Sequence, residues 1–234
     1  MIKLFCFPYA GGSSGVFSNW KQYLHAGIEL VPVELAGRGK RIHEPLYKDI
    51  SEVVNDVFQL MKADIAYGPY ALFGHSMGCM IAYDLMEKIR NSNLHRPLHL
   101  FFSGRGAPHL KREDEKKYHL MNDKDFKRAI IELGGTPLEF FEHPELLELF
   151  IPLLKNDFKI AETGIEKREI HPLDESITIF LGKEDDLTAE QCDGWKRHTK
   201  KLCSIHYFQG GHFFLHKQTQ KMVTLIDHIL RNCT

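Results

Sequence analysis

The sequence has no run of apolar residues long enough to cross a bilayer and no block of like charge. The first absence excludes a transmembrane helix. The second, with 30 basic residues against 31 acidic ones, removes the electrostatic footprint of a nucleic-acid surface or a polybasic membrane patch. Cysteine is sparse: Cys6, Cys79, Cys192, Cys203 and Cys233 are scattered, odd in number and without metal-ligand spacing. That pattern argues against a disulfide scaffold and for a reducing compartment. No repeat or linker divides the 234 residues, which fit one domain with a substantial core. Because the chain starts directly on a strand-like segment, 2–7, the expectation is a cytoplasmic protein without a signal peptide and without membrane or nucleic-acid partners.

What is present is a regular alternation. Short runs rich in β-branched and aromatic residues recur at 2–7, 28–33, 70–73, 98–103, 176–181 and 203–208. Helical periodicity fills most of the intervals, at 17–24, 50–65, 77–89, 189–200 and 218–231. Such alternation predicts an α/β fold with a mainly parallel sheet covered by helices on both faces, whose ligands sit at the carboxyl ends of the strands. One interval breaks the rhythm. Between Pro108 and Pro172 there is no strand-like run, but amphipathic segments occur at 123–133, 137–141 and 144–162. An ordinary crossover needs only about 30 residues, so the reading is an inserted helical lid over about 109–170. Leu146, Leu149, Phe150, Leu153, Leu154 and Phe158, at helical spacing, would then form its acyl-binding wall.

The chemistry points to Phe73-Gly74-His75-Ser76-Met77-Gly78-Cys79. A strand runs into Gly-x-Ser-x-Gly and then into a helix, the pattern of a turn so tight that small residues are needed two positions on either side of the serine. A serine hydroxyl at neutral pH needs a base within hydrogen-bond reach and a third group to orient that base. On this type of sheet they follow in the order serine, acid, histidine, each after a later strand. The loop Gly182-Lys183-Glu184-Asp185-Asp186 offers three adjacent carboxylates, and its position alone does not choose among them. Among 14 histidines, His212 alone occupies the loop after the last strand, behind Gly210 and Gly211. His216, one turn further on, reads as surface, and His75 as pointing away from the serine into the turn. An oxyanion would need two amide donors. Met77, after the serine, supplies one, and Ala10 in the loop Phe7-Pro8-Tyr9-Ala10-Gly11-Gly12-Ser13-Ser14-Gly15 the other. That loop lacks the Gly-Lys-Ser/Thr ending of a phosphate cradle.

At this point the sequence resembles the type II (external) thioesterases of nonribosomal peptide and polyketide synthases, within the α/β-hydrolase superfamily. The matching stretches are Phe7-Pro8-Tyr9-Ala10-Gly11-Gly12, Gly37-Arg38-Gly39 with Arg41 and Pro45, Phe73-Gly74-His75-Ser76-Met77-Gly78, and Ser103-Gly104-Arg105 with Ala107-Pro108. Further on come Leu133-Gly134-Gly135-Thr136-Pro137, Pro152-Leu153-Leu154 with Asp157, Gly182 with Asp185, and Gly210-Gly211-His212. The resemblance implies Ser76 as nucleophile, His212 as base and Asp185, ahead of Asp186, as the acid, with Ala10 and Met77 as oxyanion amides. It also implies hydrolysis of acyl, aminoacyl or peptidyl thioesters on the phosphopantetheine arms of carrier proteins, by a monomer needing no metal or diffusible cofactor. A medium-chain fatty-acyl thioesterase or a general esterase are the rival readings. Arg105, Lys111, Arg112, Lys116, Lys117, Lys124, Lys127 and Arg128 could form a basic rim for an acidic carrier. The sequence departs from the family pattern at Ala36, at Lys155-Asn156 and at Gly164.

Overall fold

The computed structural model describes residues 1–110, 116–135, 143–164 and 169–233. Its strands are β1 (Ile2–Phe7), β2 (Ile28–Pro32), β3 (Tyr70–His75), β4 (Leu100–Ser103), β5 (Ile177–Gly182) and β6 (Cys203–Phe208). They form one sheet in the order β2-β1-β3-β4-β5-β6, and every neighbouring pair is parallel. All residues of β3, β4 and β5 are buried, which is why these segments read as continuous apolar runs. The pleat divides them between two cores. Phe5, Leu72, Phe102 and Ile179 pack against helices α1 (Ile50–Ile65) and α2 (Met77–Arg90), while Cys6, Phe73, Phe101 and Phe180 face the opposite layer. Asp49 caps α1 by accepting the Glu52 amide at 2.9 Å, one of the donors a helix start cannot satisfy itself.

Two segments expected to be single helices are broken. At 17–24 the chain makes two 3-10 turns, Ser14–Phe17 and Trp20–Tyr23. Polar Asn19 lies between them with its carbonyl held by Gln22 Nε2 at 2.9 Å, and a segment this short gains little from helical propagation. Burial of Phe17 and Trp20 fixes it instead. At 189–200, a short helix ends at Asp193 and a 3-10 turn, Gly194–His198, follows. Gly194 sits where a Cβ would stand 2.7 Å from Leu110 Cδ1, so close packing selects glycine and glycine weakens the helix. The strand expected at 28–33 pairs only to Pro32.

Between β4 and β5 lie α3 (Asp123–Leu133) and α4 (Pro144–Thr163). Phe126 and Ile130 of α3 meet Leu154 of α4 in a small third core over the carboxyl end of the sheet. The segment expected at 137–141 lies outside the described residues. The last elements are α5 (Ala189–Asp193), α6 (Phe214–Lys217) and α7 (Thr219–Arg231), whose Met222, Val223, Ile226 and Leu230 complete the second sheet core. Among the described residues no helix is long and apolar enough to cross a membrane.

Candidate active site

Ser76 separates the end of β3 from the start of α2 and has φ 55° and ψ −110°. It is the one non-glycine residue with positive φ among those described, a conformation that persists only where its surroundings enforce it. Two glycines allow that enforcement. A Cβ on Gly74 would run into the Gly78 carbonyl, and one on Gly78 into the Phe7 carbonyl, well inside contact distance in each case. Strand, turn and helix therefore close on one another and leave the serine projecting.

The loops after β5 and β6 bring two further side chains to it. Ser76 Oγ lies 3.0 Å from His212 Nε2, and His212 Nδ1 lies 3.0 and 3.3 Å from the two carboxylate oxygens of Asp185. With Nδ1–H donating to Asp185, Nε2 is left to accept the serine proton. The three carboxylates of that loop differ in their partners: Asp185 meets the histidine, Glu184 accepts from Gln209 Nε2 at 3.1 Å, and Asp186 joins Asp185 in lining the adjoining cavity. Met77 opens α2, where the helix offers its amide no acceptor. Ala10 sits in a turn closed by the Gly12 amide donating to the Tyr9 carbonyl at 2.9 Å, and both Ala10 and Ser76 line the cavity.

His75 does not turn into the bend as the sequence suggests. Strand alternation sends it to the same face as Phe73, where it is fully buried, with its ring 5.3 Å from that of His212 and 5.7 Å from Phe214. Its Nδ1 shares a 2.8 Å hydrogen bond with the Ser103 hydroxyl. Burial, and then the neighbouring His212 and His216, hold its pKa well below the ordinary histidine value, so it is a neutral support beneath the His212 ring. His216 is exposed, as its position suggests, although its Nε2 shares a 3.0 Å hydrogen bond with the Tyr9 hydroxyl.

The cavity measures about 620 Å³ and extends from Ser76 along α2 past Met80 and Tyr83 toward Arg105 and Phe158. The six apolar residues expected to wall it divide instead. Phe158 alone of them lines it; Leu146 and Leu149 are exposed, Leu153 is buried beside Gly37, and Phe150 and Leu154 press on Gly11. Helical spacing identifies a stripe but not what the stripe meets. Of the basic residues, Lys116 and Arg105 line the cavity, and Arg105 donates to the Ala161 carbonyl at 3.0 Å. Arg128 pairs with Asp125 at 3.0 Å. Lys111 and Arg112 lie outside the described residues.

Sequence reasoning gave no structural role to Arg38 and Asp157, which form a buried bidentate pair at 2.6 and 2.9 Å. The signal was available: an arginine between two glycines and an aspartate on the apolar side of an amphipathic helix are each out of place unless paired.

Comparison with known proteins sets this geometry in context. The chain is 36% identical over 235 residues to the linear gramicidin dehydrogenase LgrE of Brevibacillus parabrevis, covering 99% of this chain and 88% of that protein. It is 34% identical over 219 residues to the medium-chain S-acyl fatty acid synthase thioesterase of Rattus norvegicus, covering 93% and 82%. Among solved structures, ClbQ from the colibactin NRPS/PKS pathway superimposes with a TM-score of 0.92 at 32% identity, over 99% of this chain and 98% of that one. The Thioesterase domain family matches residues 2–233. The fold is that of the α/β-hydrolases. With nearly its whole length matched, the chain belongs to the thioesterase domain family, hydrolases that act on thioesters.

Proposed function

We propose that this protein is a type II thioesterase that clears acyl, aminoacyl or peptidyl groups from the phosphopantetheine arms of carrier proteins in nonribosomal peptide or polyketide biosynthesis. The observation that carries the reading is the hydrogen-bonded series Ser76, His212, Asp185 at a cavity of about 620 Å³, in the size range of sites that take whole small molecules.

In this reading His212 Nε2 accepts the Ser76 proton as Oγ attacks the thioester carbonyl carbon, and Asp185 holds the imidazole in the required tautomer. The Ala10 and Met77 amides receive the negative oxygen. The carbon–sulfur bond breaks, the phosphopantetheine sulfur takes the proton from His212, and the acyl group remains on Ser76. Water, deprotonated by the same imidazole, then releases the free acid. Lys116, Lys117, Lys124 and Lys127 would face the acidic carrier.

The fatty-acid reading keeps a specific observation on its side, the similarity to the rat medium-chain enzyme. Against a purely aliphatic substrate stands the cavity lining, where Tyr83, Arg105, Glu132, Glu162 and Gln191 join the apolar residues. A hydride-transfer role, as in the name of the Brevibacillus relative, would call for a dinucleotide loop, and no G-x-G-x-x-G occurs in this sequence. The test is hydrolysis of a panel of aminoacyl, polyketide and medium-chain fatty-acyl carrier proteins, with Ser76→Ala as control. Expected is turnover favouring aminoacyl or polyketide groups and a loss of about 10⁴-fold or more in the variant. Preference for medium-chain fatty acyl groups would transfer the assignment to the rival, and an active Ser76→Ala would remove the mechanism.

A further inference from the structure

Asp157 belongs to α4, outside the serine, histidine and acid, yet its carboxylate is wholly engaged with the loop that carries Ala10 and with the turn beside it. Oδ2 accepts from the Gly11 amide at 2.7 Å and from Arg38 Nη1 at 2.6 Å, and Oδ1 accepts from Arg38 Nη2 at 2.9 Å. Arg38 Nη1 also donates to the Gly12 carbonyl at 3.2 Å. The two side chains are 4% and 1% exposed. Between these anchors the chain makes a turn from Tyr9 to Gly12, closed at 2.9 Å, with φ 77° at its third residue, Gly11, the position where a type II turn calls for glycine. The peptide linking Tyr9 to Ala10 is planar and trans, so a fixed Tyr9 carbonyl fixes the opposite direction for the Ala10 N–H. Phe150 and Leu154, on the same face of α4 as Asp157, bear on the turn as well: a Cβ on Gly11 would stand 2.5 Å from Leu154 Cδ1.

A sealed ion pair adds little net stability, because desolvation offsets most of the attraction, and apolar replacements of similar volume are often neutral or stabilising. What such replacements cannot reproduce here is the grip on the Gly11 amide and the Gly12 carbonyl. We propose that Asp157, locked by Arg38, is a positioning residue that aims the Ala10 amide at the oxyanion from the helical cover. The assignment rests on the reading of Ala10 as an oxyanion donor. It makes the donor conditional: the amide is aligned while α4 is seated on the loop and loses its anchor when α4 lifts.

The deciding variant is the double substitution Arg38→Met with Asp157→Leu, which removes both charges together. Expected is a melting temperature within a few degrees of the parent, an unchanged KM for an acyl carrier protein, and a kcat lower by about 10- to 100-fold, up to the loss seen when one oxyanion donor is deleted. A substrate-like boronic acid, whose tetrahedral adduct places an oxygen in the same position, loses affinity by a similar factor, which a purely structural role would not cause. A folded double variant with parental kcat and boronate affinity overturns the proposal, and if Ser76→Ala is inactive at the same time, the mechanism stands without it. Should the double variant fail to fold, Asp157→Ala, which removes the acceptor for the Gly11 amide, is read in the same two assays, and parental values there overturn the proposal equally.

Discussion

The strand rim and the helical cover each place a carboxylate against a cation or an imidazole, but they hold the pair in different ways. Asp185 and His212 leave adjacent parallel strands whose last paired residues are Gly182 and Phe208. Main-chain hydrogen bonds, which hold neighbouring strands about 4.8 Å apart, set their separation before any side chain is considered. Asp157 and Arg38 come from a helix and a turn that share no ladder, and among the described residues their spacing depends on side chains: the bidentate pair, Leu153 and Leu154, and Asn156 Nδ2 donating to the Tyr47 carbonyl at 3.0 Å. Geometry fixed by backbone tolerates side-chain change and loses chemistry; geometry fixed by side chains loses alignment when any of them changes.

The largest effect that sharpens the contrast is His212→Ala. Carrier-thioester hydrolysis should fall by about 10⁴- to 10⁶-fold, about 5 to 8 kcal/mol in the barrier, while the melting temperature stays near the parent's. Collapse of the fold instead would show the rim to be as dependent on side chains as the cover. Gly78→Ala tests the backbone directly. Its new Cβ meets the Phe7 carbonyl, which cannot rotate aside, so the urea midpoint should report a loss of more than about 3 kcal/mol; a change below 1 kcal/mol would break the comparison.

Acid should attack the sheet side before the cover. His99 and His198 are buried and each has a pKa pushed down to about 4, in both cases chiefly by burial, with His109 and Arg197 adding to it at His198. Once unfolded, each binds a proton near pH 6.5. Stability is therefore undiminished above pH 6.5 and declines as pH falls from there toward 4, by roughly 2 to 3 kcal/mol per histidine at the low end. His198→Phe should flatten the fall in urea midpoint between pH 7 and 4.5, and an equally steep fall in the variant would exclude His198 as a source. The smallest effect belongs to the outer face of the cover. Leu149 is 72% exposed, so Leu149→Ser should shift stability by less than about 0.5 kcal/mol and leave carrier hydrolysis unaltered. A several-fold rise in KM would mean that the exposed face of α4 meets the carrier.

The same division governs what could be read from the sequence. Alternating runs and their glycine-rich ends locate the strand rim, because each strand terminates in a loop at one edge of the sheet and the order of Ser76, the acid loop and His212 follows the order of strands. Even there the choice among Glu184, Asp185 and Asp186 needed directions that spacing does not encode. In the cover, periodicity gave α3 and α4 but not their contacts. Leu149 and Leu154 belong to the same apolar pattern, and one faces water while the other packs on Gly11. His75 misled for a related reason: the turn is local in sequence, but the side chain obeys the pleat of β3 and lies beneath the His212 ring.

The order of strands carries one more implication. β3, which leads into Ser76, has neighbours on both sides, whereas β6, which leads to His212, pairs only with β5 among the described residues. Border strands open more readily than interior ones. Warming should thus silence the enzyme through local fraying at its border while most of the sheet is still intact. During synthesis, too, the growing polypeptide carries Ser76 long before His212 emerges, so on the proposed mechanism a partly made copy lacks its base.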